Sequence, residues 1–506
     1  LRPPARGSAP EVMSESTLES AFSGSNAIER PLCVDLDGTL ITTDTLWESV
    51  ASMFRKRPWT ALALPLWLLG GRARFKHAIA TRTTLDPASL PYRRELVEAL
   101  RVSRERGRKL VLATAADRKI ADGVARHLGL FQAVHASDGQ VNLKAAHKRD
   151  LLRSTYDQGF DYVGDSGADE VVFAAATQGF LVGASRRAAR IPERLPKVSL
   201  VSRKPSVVRA LVKQLRPHQW VKNALLFLPL LLAPEIPQLD QVGRAFLAWA
   251  AFCGCASAGY VFNDLLDIEA DRAHATKRNR PFASGALPII IGPPLFVGLM
   301  TLSLGLSAAL LPWGFLAALV LYFAGTLSYS LWLKKVLLLD VLVLAALYTH
   351  RILSGGAATG VRVSAWLLGF SLFIFTSLAF AKRYVELKAM TSDDKVRNRG
   401  YFRTDLEMVT AMGIASGYTA ALVFALYIDS AAVRTVYREA SVLWLIMPVL
   451  LYWFGRIWLL AGRGRMQEDP VKFAVKDPIS LVCGGIIAGI AVLARFAPPF
   501  LVEIFH

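Results

Sequence analysis

From residue 221 onward, apolar runs long enough to cross a lipid bilayer recur with little interruption. This pattern limits the fold more than any other feature. The runs are 221–242, 244–266, 287–311, 313–332, 336–354, 364–381, 408–428, 441–461 and 479–497. They make about nine spans by the ~20-residue criterion. Backbone in hydrocarbon must satisfy its own polar groups, so such runs fold as helices. Prolines interrupt the first. The chain is 53% hydrophobic, too apolar for an ordinary soluble enzyme, and its 506 residues are too many for one domain. A net charge of +19 fits nucleic acid, an anionic membrane surface or phosphorylated substrates. The apolar runs favour the last two, and no nucleic-acid partner is expected.

Cations gather in every second loop. Arg203, Lys204, Arg216 and Lys222 precede the first run, and Lys277, Arg278 and Arg280 follow the second. Lys334 and Lys335 follow the fourth, Lys382, Arg383, Lys388, Lys395, Arg397 and Arg399 the sixth, and Arg463, Arg465, Lys472 and Lys476 the eighth. By the positive-inside rule, the expectation is a multi-pass plasma-membrane protein. The N-terminal part and the loop after the second run are then cytoplasmic, and the C-terminus is outside. Cys33, Cys253, Cys255 and Cys483 show neither a disulfide framework nor CxxC spacing, which fits a reducing compartment. Residues 1–12 are polar and Pro-rich with no apolar core, so no signal peptide is expected, and Met13 is a candidate start.

Between the second and third runs lies Asn263–Pro281, NDLLDIEADRAHATKRNRP. Asp264, Asp267 and Asp271 fall at i, i+3 and i+7 and share a face if the segment is helical. Lys277, Arg278 and Arg280 follow within about two helical turns. Carboxylates followed by cations at the end of an apolar segment fit a Mg²⁺ site beside a phosphate site.

The first 190 residues have a different pattern. Leu32–Leu40, LCVDLDGTL, is a short β-rich run ending in Asp35 and Asp37, which alternation places on one face. A second run, 109–115, ends near Thr114, and a third, 161–169, carries Asp165 and Asp169. Helical stretches lie between them, so a doubly wound α/β domain is expected, with its site at the strand ends. The set DxDGT, strand-ending Thr, Lys and GDSxxD, in that order, resembles the haloacid dehalogenase (HAD) superfamily of phosphohydrolases.

The resemblance implies that Asp35 is the nucleophile, Asp37 the general acid and base, and Thr114 a phosphoryl hydrogen-bonding group. Mg²⁺ would be held among Asp35, Asp37, Asp165 and Asp169. The family lysine is Lys148 or, as the alternative, Lys144. A carboxylate can attack phosphorus only where cations neutralise the phosphoryl oxygens, and a second carboxyl must protonate the leaving alcohol. Residues 43–98 would form a helical cap. Within it, Trp59–Gly71 is too short to span a bilayer and is either interfacial or buried against its own domain. The expected layout is a disordered extension 1–28, a Rossmann-like HAD domain 29–190, and a basic linker 191–215 ending in an amphipathic stretch. An all-α membrane domain, 216–506, completes it.

Three ionisable residues fall inside the fifth run. Asp340 is near its cytoplasmic end and can reach water. His350 and Arg351 lie deeper, and Arg351 either binds a lipid phosphate or snorkels.

The membrane part resembles the UbiA superfamily of intramembrane prenyltransferases through NDxxDxxxD at 263–271. Within it, the resemblance is to the decaprenyl-phosphate phosphoribosyltransferase branch. That rests on DxxHxxKxxRP (271–281), RPHQWVKN (216–223), AKRYVEL (381–387) and EDPVKFAVKD (468–477). The loop after the fourth run carries only Asp340 and two lysines where a second aspartate-rich motif is usual. This departure favours phosphoribosyl pyrophosphate (PRPP) and a polyprenyl phosphate as substrates.

By resemblance, Asp264, Asp267 and Asp271, with Asn263, hold Mg²⁺ on the pyrophosphate, and Lys277, Arg280 and Lys222 hold phosphate oxygens. Lys382 and Arg383 take the 5-phosphate or the lipid phosphate. The implied protein is a bifunctional enzyme that ribosylates the lipid and dephosphorylates the product. The rival expectations are a prenyltransferase with a separate phosphatase, and a transporter or anchor for a phosphatase.

Overall fold

Six short strands form one parallel sheet in the order β3-β2-β1-β4-β5-β6. They are β1 (Leu32–Val34), β2 (Leu110–Asp117), β3 (Ala133–Ser137), β4 (Asp161–Gly164), β5 (Gly179–Leu181) and β6 (Val198–Leu200). The structure is a computed structural model that describes residues 15–23, 28–56, 60, 67, 72–138, 140–390, 399–466 and 470–496. Most of the apolar segment 59–71, the loop cations Lys395 and Arg397, and the residues around Met13 lie outside the described set. By contacts the chain divides into two units, Leu1–Leu215 with Val261–Leu295, and Arg216–Tyr260 with Phe296–His506.

Both faces of the sheet are covered, so its central strands are apolar throughout rather than alternating with polar residues. Leu32, Val34, Leu110 and Leu112 enter one core, while Cys33, Val111, Ala113 and Leu181 enter the other. The strand order reverses between β1 and β4, the switch point at which open α/β sheets leave a crevice for ligands. Asp35 follows β1 and Asp165 follows β4, so both arrive at that crevice.

Two segments are more ordered than their composition implies. Glu15–Ser23, in the expected disordered extension, is a helix whose Leu18 and Phe22 are buried against the sheet. The Phe22 ring packs edge-on against Phe180, and the Phe22 carbonyl accepts from Ser103 and Arg108. Within 191–215, expected to be an exposed linker, β6 pairs with β5 and Val207–Leu215 is a helix. The charges there mask short apolar stretches that complete the sheet.

Eight helices are long and apolar enough to cross a membrane, by length and composition. They run Leu239–Leu266, Ile289–Leu310, Trp313–Leu331, Leu339–Thr359, Ala365–Lys388, Arg403–Asp429, Ala440–Gly462 and Pro478–Arg495. They correspond to the second to ninth expected spans. The first differs, being a 3₁₀ stretch Pro217–Phe227 and a single turn Leu228–Leu231. Pro229, Pro234 and Pro237 remove backbone donors, so no continuous α-helix extends through 221–242.

Candidate functional site

A cavity of about 320 Å³ opens at the crevice of the sheet, lined by Asp35, Asp37, Lys144, Lys148, Asp165 and Asp169 among others. The chain leaves β1 through a tight turn in which Gly38 has φ +76° and donates its N–H to the Thr43 carbonyl at 3.0 Å. A Cβ at Gly38 would stand 2.3 Å from Asp165 Oδ2, so the two strand ends approach too closely for a side chain there. Arg93 clamps the turn, donating to the carbonyls of Gly38 (3.1 Å) and Thr39 (3.0 Å).

Lys148 is buried at the centre of the site. Its Nζ lies 3.0 Å from Asp35 Oδ1 and 3.7 Å from Asp169 Oδ1, and donates to the Tyr162 hydroxyl at 2.9 Å. Tyr162 passes the chain on, donating to Asp169 Oδ1 at 3.0 Å. Asp169 Oδ2 accepts from Ser166 N (3.2 Å) and Oγ (2.7 Å). Lys144 is exposed on the cavity rim. Thr114 is fully buried, its Oγ1 accepting from Ala116 N at 3.0 Å, and the neighbouring Ala115 lines the cavity.

Burial pushes the Asp35 carboxyl up to about 6, with Lys148 opposing and Asp169 and Asp165 adding to the rise. Burial also raises Asp165, against the pull of Lys204. Burial lowers Lys148, but Asp35 and Asp169 outweigh it and the net shift is upward. Carboxylate oxygens of Asp35, Asp165 and Asp169 lie within 4.8 Å of one another, the one such group among the described residues. Three buried carboxylates that converge with their oxygens fit a hard divalent cation.

Asp37 stands outside that group, against its place among the expected metal ligands. The bend at Gly38 turns it to Thr45, whose N–H donates to Oδ1 at 2.8 Å and hydroxyl to Oδ2 at 3.3 Å. Burial holds its carboxyl well above the usual range, with Asp44 adding to the rise. A carboxyl whose affinity for its proton is raised suits proton donation.

The aspartate-rich stretch belongs to the same unit. Its helix breaks at Asp267, between Leu239–Leu266 and Ile268–Ala273. The α-type bonds Asp267 N to Asn263 O (2.9 Å) and Asp271 N to Asp267 O (2.8 Å) carry through the break. Asp264 and Asp271 therefore stay close, and Arg280 joins them. Its Nη1 reaches Asp264 Oδ1 at 3.0 Å and Asp271 Oδ2 at 2.7 Å. Gln214 donates to Asp264 Oδ2 at 2.8 Å. Asp271 is raised by burial, with Arg280 opposing. Asp267 and Asn263 are half-buried, as is Lys277 in the following turn. The oxygen-donor set fits a hard cation by its chemistry, although Arg280 supplies the compensating charge between two of its members.

The remaining expected residues lie in the helical unit. Arg351 is buried within the bundle, donating to Asn223 Oδ1 (3.0 Å), the Tyr322 hydroxyl (3.0 Å) and the Leu347 carbonyl (2.7 Å). Its guanidinium lies over the rings of Phe252, Tyr322 and Tyr348. It does not snorkel: Nε, Nη1 and Nη2 each donate to an acceptor inside the bundle. Lys222 Nζ lies 5.7 Å from the Tyr348 ring centroid. Asp340, expected to reach water, is fully buried. It accepts from Tyr401 at 2.8 Å and lies 3.2 Å from Arg383 Nε and 3.7 Å from Arg399 Nη1. Arg383 also pairs with Glu386, while Lys382 is half-buried beside it.

Lys76, Arg93, Tyr162 and Lys204 were not among the expected site residues. Lys76 Nζ donates to the Ala115 carbonyl at 2.8 Å, and Lys204 Nζ lies 2.6 Å from Asp165 Oδ2. Tyr162 sits in the apolar run that leads to Asp165, where a hydroxyl was a readable signal. Lys204 is one of several linker cations, and no spacing distinguishes it.

The UbiA prenyltransferase family model matches residues 224–476, half of the chain. The chain is similar to the uncharacterized protein y4nM of Sinorhizobium fredii, 38% identical over 471 residues, 92% of this chain and 91% of that one. Nodulation protein NoeC of Azorhizobium caulinodans is 37% identical over 53% of this chain and 87% of its own. The decaprenyl-phosphate phosphoribosyltransferase of Corynebacterium glutamicum is 37% identical over 180 residues, 35% of this chain and 54% of that protein. With a family model over half its length and a relative matched almost end to end, the chain belongs to the UbiA prenyltransferase family.

Proposed function

We propose that this protein transfers a 5-phosphoribosyl group from PRPP to polyprenyl phosphate, and that its sheet domain is a HAD-type phosphatase that removes the 5-phosphate from the lipid product. The observation that carries the second half is the buried Asp35, Lys148, Asp165 and Asp169 cluster at the sheet's switch point. The first half is supported by the relatives described as decaprenyl-phosphate phosphoribosyltransferases and by the aspartate-rich stretch.

In the transfer, an oxygen of the lipid phosphate attacks ribose C1, the C1–O bond to pyrophosphate breaks, and pyrophosphate leaves. Asp264, Asp267, Asp271 and Asn263 would hold Mg²⁺, which neutralises charge growing on the leaving group. Arg280, Lys277 and Lys222 bind phosphate oxygens, and Lys382 and Arg383 take the 5-phosphate or lipid phosphate. The acceptor is already an anion, so no strong base is required. Arg351 is given a packing role here because Nε, Nη1 and Nη2 each bond to an acceptor within the bundle.

In the hydrolysis, Asp35 attacks phosphorus and the ester bond breaks as Asp37 protonates the leaving alcohol. Asp37 then takes a proton from water, which attacks the aspartyl-phosphate and frees inorganic phosphate. Lys148 holds Asp35 and screens the incoming phosphoryl charge. Asp35, Asp165 and Asp169 would hold Mg²⁺, which neutralises phosphoryl oxygens when bound.

Nine membrane passages remain our reading. Gln214 touches Asp264 at the end of a helix that begins at Leu239 and is about 42 Å long. We read residues 216–238 as the remaining passage, although they are not one α-helix. The sheet domain and the aspartate-rich loop then share a side, and the basic loops make it cytoplasmic.

The test supplies labelled PRPP and polyprenyl phosphate to the purified protein. Failure to form a ribosylated lipid overturns the transfer, and an Asp35→Asn variant that still dephosphorylates that lipid overturns the phosphatase. The family's description as prenyltransferases favours a second reading, prenyl transfer from a diphosphate to an aromatic or other acceptor. A radiolabelled prenyl diphosphate tests it directly.

A further inference from the structure

One wall of the carboxylate cavity comes from outside the sheet domain. Gly285, Ala286, Pro288 and Ile289 line it together with Asp35 and Lys148. These residues follow the aspartate-rich stretch, and Ile289 is also the first residue of the apolar helix Ile289–Leu310. The cavity therefore borders the start of a helix long and apolar enough to cross a membrane.

Three attachments hold the wall in place. Thr42 Oγ1, just past the Gly38 turn, donates to the Ser284 carbonyl at 2.9 Å. Arg272 grips both oxygens of Glu48, at 2.5 and 3.1 Å, with both side chains buried. Arg55 pairs with Glu269 at 2.5 Å. Gly285 has φ +72°, and a Cβ there would stand 2.3 Å from Thr42 Oγ1. A loop pressed this closely onto the turn between Asp37 and Thr45 confines whatever is joined to the phosphate. A buried, bidentate ion pair keeps it there, because breaking such a pair strands a charge.

We infer that Ser284–Ile289 is a specificity-determining wall of this cavity, admitting a phosphomonoester whose alcohol portion is tethered at a membrane surface. The inference rests on the phosphatase reading and deepens it. A soluble sugar phosphate needs only Asp35, Lys148 and their neighbours. A headgroup anchored to a lipid must also pass along the loop that leads to the membrane helix.

The test uses the full-length protein in nanodiscs, with Ala286→Trp as the variant and two substrates carrying the same phosphomonoester. One is ribose 5-phosphate, and the other is ribose 5-phosphate linked through C1 to polyprenyl phosphate. The wall predicts that kcat/KM for the lipid-linked substrate falls about tenfold or more while that for ribose 5-phosphate stays within about twofold, since misplacing a bound group alone costs rate on this scale. Ala286→Ser, which adds little bulk, keeps the wild-type ratio. Thermal unfolding checks folding, and Ala286→Leu, a smaller intrusion, must shift the ratio in the same direction. Equal losses on both substrates, or no loss on either, overturn the inference. If the wild type hydrolyses neither substrate, the phosphatase reading itself falls and takes the inference with it.

Discussion

Lys148 Nζ lies 3.0 Å from Asp35 Oδ1, and both residues are buried. Lys144, four residues earlier, is exposed on the rim of the same cavity. The two lysines therefore have unequal consequences. Lys148→Met strands Asp35 and Asp169 and is expected to cost about 3–5 kcal/mol of stability, with loss of phosphomonoester hydrolysis. Lys144→Met is expected to leave unfolding unchanged and hydrolysis within about threefold, as surface changes usually do. Calorimetry and a phosphate-release assay on both variants check this.

If Asp35 is the nucleophile of the proposed hydrolysis, the rate is expected to rise with pH through about 6, because it must be ionised to attack and burial pushes it up to about 6. Divalent cations stabilise the carboxylate and should move that limb to lower pH. In metal-free protein the stability effect has the opposite sign. Between 3.8 and about 6 the native state binds more protons at this site than the unfolded chain, so the Asp35 contribution falls as pH rises. A pH–rate profile at two Mg²⁺ concentrations is the measurement, and a limb that ignores Mg²⁺ contradicts the assignment.

Arg280 bridges Asp264 and Asp271 at 3.0 and 2.7 Å. Its removal leaves two neighbouring carboxylates without their shared cation. Arg280→Ala is expected to lower transfer by about 10²-fold, the scale for loss of one charge-stabilising donor. Raising Mg²⁺ should recover part of the loss if the arginine compensates the carboxylates. It should recover none if the arginine acts only on substrate phosphate. Initial rates across a Mg²⁺ titration separate the two.

Arg351 is held by Asn223, Tyr322 and the Leu347 carbonyl under three aromatic rings. Arg351→Ala should act through stability, lowering it by about 2–4 kcal/mol for lost charged hydrogen bonds and packing. The KM for lipid phosphate should stay within about twofold in the fraction that remains folded. A large KM increase with unchanged thermal unfolding in detergent would instead make it a substrate contact.

Membrane helices were legible because hydrophobic length alone specifies them, and eight of the expected runs formed as helices with ends within seven residues of those expected. The strand ends at Asp35 and Asp165 were legible because an apolar run followed by Gly and Asp marks where a buried strand stops. Alternation was the wrong reason for Asp35 and Asp37, which both lie past the end of β1, in the turn that runs through Gly38, and not on a strand face. The run 221–242 failed as a helix because its composition counts as apolar while its prolines break the ladder.

The sequence by itself determined which segments enter lipid and which side chains could do phosphate chemistry, since both follow from local composition and short spacing. Only the tertiary structure decided between Lys144 and Lys148 as the partner of Asp35, gave Arg280 to Asp264 and Asp271, and put Ile289 in the wall of the Asp35 cavity. Two of those relationships join distant parts of the chain, as Thr42 and Ser284 do across 242 residues. No periodicity encodes them. They exist because buried carboxylates require cations and backbone polar groups require partners, wherever in the chain the fold can supply them.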